Sequence, residues 1–167
     1  MKYWLTTRWP LNLDERGDTV APGVFLQNKA LRVGDLIEVG DGVLVYQFKS
    51  GPPVRRTAQD GTVTLVRRRE GKQGIVARGR VSKRLLSPSA RSEDYADGAT
   101  RQWFQAADLD GVQGGNLVPR DVVAKVLRCG SGCNFRGLGE RRSGLKEITE
   151  PQFLELERLL CGESPRP

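Results

Sequence analysis

The side chains that usually carry out acid–base and nucleophilic chemistry are scarce in this sequence of 167 residues, which contains no histidine. A Ser-His-Asp or Cys-His pair, a histidine general base and a histidine-ligated zinc or iron site are therefore excluded. Cys129 and Cys133 are separated by three residues, and without a second cysteine pair they cannot close a structural zinc site. With Cys161 they make an odd, sparse count, so we expect free thiols in a reducing cytoplasm.

Carboxylates are the remaining candidates for catalysis, because clustered acids can bind Mg²⁺. The acids concerned follow no fixed spacing and lie in a region that looks like a loop: Glu93, Asp94, Asp97, Asp108 and Asp110. The sequence therefore predicts no catalytic residue, no metal and no cofactor, and favours a binding module over an enzyme. Metal-dependent cleavage through these carboxylates stays open as an alternative.

Positive charge is concentrated in the middle of the chain, which has a formal net charge of +7. The segment Lys49–Arg91 contains twelve basic and two acidic residues, +10, whereas the rest contains fifteen basic and eighteen acidic residues, −3. This asymmetry is typical of a surface that binds a polyanion. No segment reaches the ~20 apolar residues of a membrane span, and the N-terminus lacks the apolar region of a signal peptide, so we expect a cytoplasmic protein.

The elements that must position these residues are mostly short strands. Alternation of apolar and polar residues predicts strands at Lys2–Trp9, Gly23–Gln27, Leu31–Val39, Val43–Lys49, Thr62–Arg69, Gly74–Arg84 and Gln102–Ala107. The strands Thr62–Arg69 and Gly74–Arg84 are predicted to pair as a hairpin. In the second of them, one face is apolar and the other carries Arg78 and Arg80.

Two helices are predicted near the C-terminus. Pro119–Leu127 has proline in its first turn, and Glu150–Leu160 follows a capping box made by Thr149 and Gln152. Many short strands with few helices predict one α+β domain over residues 1–162. We further expect a mobile loop at 87–100 and a frayed tail at 163–167.

Four short motifs occur in an order that resembles a known family. They are Tyr3-Trp4-Leu5, Val33-Gly34-Asp35 with Val45-Tyr46, Gly74–Val81, and Gly144–Phe153. These are similar to the aromatic first strand, the Gly-Asp segment, the glycine-containing strand and the start of the final helix of the EVE domains. EVE domains are PUA-like modules related to YTH and ASCH. The resemblance implies a small mixed β-barrel of the PUA-like type flanked by a few helices, in which residues 51–69 are an insertion.

The resemblance also implies recognition of a base, modified and flipped out of the stack, in DNA or RNA. Aromatic side chains would sandwich the base and polar groups would read its edge. The aromatic candidates are Trp9, our first choice, with Trp103, Tyr46, Phe48 and Trp4. The candidate edge readers are Thr7, Asn12 and Asn28. Trp4 and Phe48 lie on strand faces, where a core position is the simpler interpretation.

Phosphate contacts are expected from two groups of basic residues. The first group lies on or after the strand that matches the family: Arg78, Arg80, Lys83 and Arg84. The second lies in or next to the insertion: Lys49, Arg55, Arg56, Arg67, Arg68 and Arg69. We prefer the first group for a shared binding face, because the second need not belong to the family.

Other functions remain open at this point. The chain could bind RNA or single-stranded DNA without regard to modification, or it could be a protein-interaction module whose basic face meets an acidic partner. We expect a monomer, with any effector activity supplied by another protein.

Overall fold

The computed structural model describes residues 1–17, 23–27, 35–85, 90–129, 135 and 144–163. Within these ranges the chain forms nine strands and two helices. They are β1 (Tyr3–Arg8), β2 (Gly23–Gln27), β3 (Gly42–Gln47), β4 (Val54–Thr57), β5 (Val63–Val66), β6 (Gly74–Arg84), β7 (Ala90–Asp94), β8 (Thr100–Pro119), α1 (Arg120–Val126), β9 (Leu145–Ile148) and α2 (Glu150–Leu160).

Seven of these strands form one mixed sheet in the order β2-β8-β6-β3-β1-β9, with β7 also paired to β8. β1 and β3 run parallel, and the other pairs run antiparallel. β8 is 20 residues long. It pairs with β2 and β7 through its first half and mainly with β6 through its second. Register shifts between β6 and β8 let this strand bend, because a bulge kinks a strand and increases its twist.

The sheet curls until its distant strands approach each other. Arg8, at the end of β1, donates from Nη2 to the carbonyl oxygen of Gly23 in β2 at 2.8 Å. Three strands separate β1 from β2 in the sheet order. The described residues therefore form a curled half-barrel with two helices, which confirms the predicted α+β class.

Both faces of the curled sheet are buried, as the alternation in β1 shows. Tyr3 and Leu5 belong to the core between the sheet and the helices, and the Tyr3 ring lies 4.7 Å from that of Phe153 in α2. Trp4 points the other way, into the core inside the curl, together with Val43 and others. Side chains on alternate faces of one strand therefore connect the two cores.

The helix α2 has the bounds that the sequence predicts. The Thr149 side chain accepts from the backbone N–H of Gln152, and the Gln152 side chain accepts from that of Thr149. Phe153, Leu156 and Leu160 are buried against the sheet. The helix α1 is shorter than predicted by one residue at each end.

The predicted hairpin between Thr62–Arg69 and Gly74–Arg84 is wrong. β5 pairs instead with β4 in a separate two-stranded sheet, hereafter the β4–β5 hairpin. β6 lies inside the main sheet, where β3 and β8 occupy both of its edges. Its backbone groups are therefore already paired, and no edge is left for β5.

Two further segments differ from the sequence prediction. Leu31–Val39 is predicted as a strand, but its described part, 35–39, forms turns. There the Asp41 carboxylate accepts from the backbone N–H of Glu38 and from Trp4 Nε1, which holds the turn against the core. Within the loop predicted at 87–100, residues Ala90–Asp94 form β7, because β8 offers them a free edge.

The cysteines also differ from expectation. Cys129 is disulfide-bonded, so the prediction of a free thiol is wrong for this residue. Cys161 is a free, exposed thiol.

Neither described helix is long and apolar enough to span a bilayer.

Candidate nucleic-acid interface

Three aromatic side chains meet where β1 ends and β7 gives way to β8. Trp9 directly follows β1, Tyr95 directly follows β7, and Trp103 lies in β8. The Trp9 ring is 5.4 Å from the ring of Trp103 and 5.8 Å from that of Tyr95, and both pairs meet edge to face. Trp9 and Trp103 keep part of their surface exposed, whereas Tyr95 is buried. We call these three residues the aromatic cluster.

A chain of hydrogen bonds fixes the inner side of the cluster. Trp103 Nε1 donates to Tyr95 Oη at 3.1 Å, and Tyr95 Oη donates to Glu93 Oε2 at 2.7 Å. Burial, together with the bond to Glu93, raises the pKa of Tyr95 to about 12 from an ordinary value of 10.0. The phenol therefore stays neutral and keeps donating its proton to Glu93 across the physiological range.

This raised pKa predicts a stability difference between wild type and Tyr95→Phe that depends on pH. The neutral phenol stabilises the folded state fully below about pH 10, and this contribution is lost as the pH rises through about 12. We expect the advantage of wild type over Tyr95→Phe in free energy of unfolding to shrink between about pH 10 and pH 12. Comparing the two proteins at each pH, by urea titration, cancels the other titrating groups. A constant difference would contradict the prediction.

Arg68 joins the aromatic cluster to the β4–β5 hairpin. Its guanidinium lies 4.9 Å from the centre of the Trp9 ring, within cation–π range, and pairs with Glu93 at 3.5 Å. It also donates to the carbonyl oxygens of Pro10 and Pro52 at 3.1 and 3.0 Å. The side chains of Arg68 and Glu93 are only 7% and 10% exposed, so this ion pair is buried.

Gly51 is required for this packing. A Cβ atom on Gly51 would lie 2.6 Å from Arg68 Cδ and 2.8 Å from Trp9 Cγ. Such distances are below van der Waals contact, so any side chain here would push Arg68 off Trp9.

Asn12 provides an unsatisfied amide beside the cluster. It is fully buried, and neither its Nδ2 nor its Oδ1 has a hydrogen-bond partner among the described residues. Asn12 and Arg68 are opposite each other in an isolated antiparallel β-bridge. The backbone hydrogen bonds on both sides of them make this a non-hydrogen-bonded pair, so the two side chains lie on the same face. A buried amide without partners costs about 1–3 kcal/mol, a cost that a ligand with matching groups would remove.

The structure brings together only some of the predicted pocket residues. Trp9, Trp103 and Asn12 come together, with Arg68 from the phosphate group. The other predicted residues that the structure describes lie elsewhere. Trp4 is in the core inside the curl, Tyr46 and Phe48 pack on the helix side, and Thr7 bonds to the Gly144 carbonyl. Asn28 lies outside the described residues.

Tyr95 and Glu93 belong to the site but are absent from the predicted pocket. The sequence places Tyr95 in a polar segment with no alternation, so no local pattern marks it as buried. The signal that could have found it is the order Tyr95-Ala-Asp97 followed by Trp103, because a hairpin between these residues brings the two rings together.

The two groups of basic residues lie at different ends of the sheet. Across neighbouring strands, Arg80 is paired with Gly42, and Gly42 is paired with Tyr3 at the start of β1. Trp9 follows the other end of β1, six residues after Tyr3, which is about 20 Å along an extended strand. Arg78 forms an ion pair with Glu157, and Arg84 pairs with Asp35 at 3.1 Å. The family-matched group is therefore remote from the aromatic cluster and partly neutralised.

One basic residue of the insertion, Arg68, contacts the aromatic cluster. Arg101, which lies outside the insertion and was not predicted, is 4.5 Å from the centre of the Tyr95 ring. Arg56 pairs with Asp14 at 3.0 Å, and Arg69 bonds to the Glu15 carbonyl. Lys49 pairs with Glu70 at 3.7 Å, and both side chains are exposed. At the aromatic cluster the geometry thus favours Arg68 over the family-matched group, the reverse of the sequence-based preference.

A basic cleft of about 710 Å³ lies on the helix side of the same end of the sheet. It is lined by Lys72, Gln73, Pro119, Arg120, Asp121, Ala124 and Lys125. None of these residues belongs to the aromatic cluster, so the cluster does not line this cleft. In the described ranges, no three Cys, Asp or Glu side chains are placed to share a metal ion.

Comparison with known proteins adds two distant likenesses. No protein-family profile and no curated protein matches the chain. Among solved structures, it is similar to human THYN1 protein in complex with 5-methylcytosine containing DNA, with 12% identity, a TM-score of 0.44 and full coverage of both chains. It is also similar to protein Atu2648 from Agrobacterium tumefaciens, with 13% identity, a TM-score of 0.39 and coverage of 100% and 99%.

Proposed function

We propose that this protein is a nucleic-acid reader that holds a flipped, modified base at the aromatic cluster. The observation that carries the proposal is the contact between two partly exposed indoles, Trp9 and Trp103, with the unpartnered amide of Asn12 buried opposite Arg68. Stacking on an aromatic ring contributes about 1–3 kcal/mol per base. An amide offers both a donor and an acceptor, which is what reading the edge of a base requires.

The arginines around the aromatic cluster are placed to bind the phosphate groups of a nucleic-acid strand. Arg101 and Arg91 lie next to the cluster with partly exposed guanidinium groups, and Arg91 is 63% exposed. Cations placed around a stacking platform bind the phosphates of the same strand and make binding dependent on salt. The proposal therefore assigns base recognition to the cluster and backbone binding to the arginines around it.

Binding of a panel of singly modified DNA and RNA oligonucleotides tests the proposal. Because human THYN1 is seen with 5-methylcytosine DNA, this base is the first to include, with methyladenine and unmodified controls. A buried methyl group contributes about 0.8 kcal/mol, so we expect at least about a fourfold preference for one modified base, measured by tryptophan quenching at two salt concentrations. Equal affinities across the panel would leave a nucleic-acid binder without modification specificity and would refute the reader.

Asn12→Leu provides a sharper arm of the same experiment. Leucine has the same branched shape but no polar atoms, so it removes the unpartnered amide without opening a cavity. We expect the variant to be as stable as wild type or more so, and to lose the preference for the modified base. A variant that is less stable, with its preference intact, would show that Asn12 serves the fold and does not read the base.

A further inference from the structure

The β4–β5 hairpin has two faces with different surroundings. Its register pairs Val54 with Val66, Arg55 with Leu65, Arg56 with Thr64, and Thr57 with Val63. Because side chains alternate along a strand, one face carries Arg55, Thr57, Val63, Leu65 and Arg67. We call this the outer face. The inner face carries Val54, Arg56, Thr64, Val66 and Arg68.

Three side chains of the inner face contact the rest of the protein, whereas Thr64 is exposed. Val54 is fully buried and forms a bridge with Tyr95. Arg56 pairs with Asp14, and Arg68 packs on Trp9 and pairs with Glu93. The hairpin is therefore fixed to the aromatic cluster through this face, which leaves the outer face for a partner.

The outer face combines exposed aliphatic side chains with two cations. Val63 and Leu65 are 54% and 56% exposed. Among the described residues, no acidic side chain pairs with Arg55 or Arg67. These two arginines are diagonal neighbours across the strands, with Cα atoms about 7–8 Å apart. Two like charges at this distance repel each other, and an anion placed between them would relieve the repulsion.

Arg55 is also partly desolvated before any partner arrives. Its Nε is shielded from solvent and has no hydrogen-bond partner among the described residues. When a guanidinium has already lost part of its hydration, the desolvation free energy needed to bind an anion is smaller. Arg55 therefore suits a phosphate group better than a fully solvated arginine would.

We infer that the outer face of the β4–β5 hairpin binds duplex DNA, with Arg55 and Arg67 on backbone phosphates and Val63 and Leu65 in the major groove. This groove admits a two-stranded β-ribbon, and apolar side chains there contact thymine methyl groups. The inference rests on the proposed function for its partner but uses a surface separate from the base site. Two cations next to two aliphatic residues favour a duplex over a protein partner, which would cover the aliphatic residues without needing both charges.

The double variant Arg55→Gln with Arg67→Gln tests the inference. Its matched control is Arg80→Gln with Lys83→Gln, which removes the same charge from β6 at the far end of the sheet. With an unmodified duplex as probe, we expect the hairpin variant to bind about tenfold more weakly or worse at about 0.1 M salt. Its log–log salt slope should be shallower by about 1.8, because two phosphate contacts are lost. The control should keep a slope close to that of wild type.

A third variant separates groove binding from phosphate binding. Leu65→Ser should weaken duplex binding while leaving the salt slope unchanged, because it removes apolar contact and no charge. None of the three variants replaces a fully buried residue, and circular dichroism checks that each one folds. An unchanged affinity in Leu65→Ser would overturn the placement in the groove.

The outcomes separate this inference from the base reader. If wild type shows no preference for a modified base while the slope falls only in the hairpin variant, the reader fails and the hairpin interface stands. Equal losses in the hairpin and control variants would indicate a general charge effect and overturn the inference. The inference would also be overturned if the wild-type protein bound anionic lipid vesicles or an acidic peptide through these arginines and did not bind the duplex.

Discussion

Replacing Glu93 by alanine is expected to lower the free energy of unfolding by about 3 kcal/mol, because it leaves the Arg68 guanidinium buried without its counter-ion. Breaking a buried pair in this way costs about 3–5 kcal/mol. We expect the lower end of this range, since the Nη2–Oε2 distance is 3.5 Å and the carbonyls of Pro10 and Pro52 still accept from Arg68. Tyr95 also loses its acceptor. Urea denaturation followed by circular dichroism measures the change.

Arg91→Ala is the matched control for this experiment. Arg91 lies on the same strand and pairs with Glu15 and Glu93, but its side chain is 63% exposed. An exposed pair contributes at most about 1 kcal/mol, so this variant should change the free energy of unfolding little. Similar costs for Glu93→Ala and Arg91→Ala would contradict the assignment of a buried pair.

A double replacement distinguishes a lost charge pair from a cavity. Arg68→Met with Glu93→Leu removes both charges and keeps most of the volume, and such exchanges are often neutral or stabilising. We therefore expect the double variant to be more stable than Glu93→Ala. If it is less stable, the interactions of Arg68 with Trp9 and the two proline carbonyls matter more than its charge pair.

Elements with local signals could be predicted from the sequence, and elements that depend on distant partners could not. The bounds of α2 follow from the capping box of Thr149 and Gln152 and from an apolar stripe, all within one segment. The strand β2 was also predicted with its observed bounds. The partner of β5 was wrong because the turn at residues 70–73 suggests a hairpin locally, whereas the burial of β6 between two other strands is a property of the whole sheet.

The site was predictable only in part for the same reason. Trp9 stood out because it ends a strand beside a proline, and Trp103 because its neighbours are polar. These indoles meet because the paired strands β7 and β8 lie against the residue that follows β1, a contact that no local pattern encodes. The interaction of Arg68 with Glu93 likewise joins residues from the insertion and from a segment that was predicted to be a loop.

The proposed base site would account for an unfavourable arrangement of buried polar groups. The buried amide of Asn12 and the edge-to-face indoles are held by an ion pair and a phenol that are themselves buried. Burial of so many polar groups reduces stability unless each finds a partner. Functional sites are where such costs are commonly retained, and Asn12 is the group beside this cluster that lacks a partner among the described residues.

Trp9→Ala is the variant with the largest expected effect on binding. Removing the ring deletes a stacking surface worth about 1–3 kcal/mol, so affinity for an oligonucleotide that carries the preferred base should fall about 5- to 150-fold. The salt slope should remain near the wild-type value, because no charge is removed. Anisotropy of a labelled oligonucleotide measures both quantities without depending on the tryptophan signal.

Phe48→Ala is the control that separates binding from folding in this experiment. Phe48 lies at the same end of the sheet, but its ring packs 5.7 Å from that of Tyr46 in the helix-side core. Its removal should cost about 3 kcal/mol of stability or somewhat less, while the folded fraction keeps its affinity. The opposite pattern, an affinity that survives Trp9→Ala and falls in Phe48→Ala, would move the base site to the helix side of the sheet, next to the basic cleft.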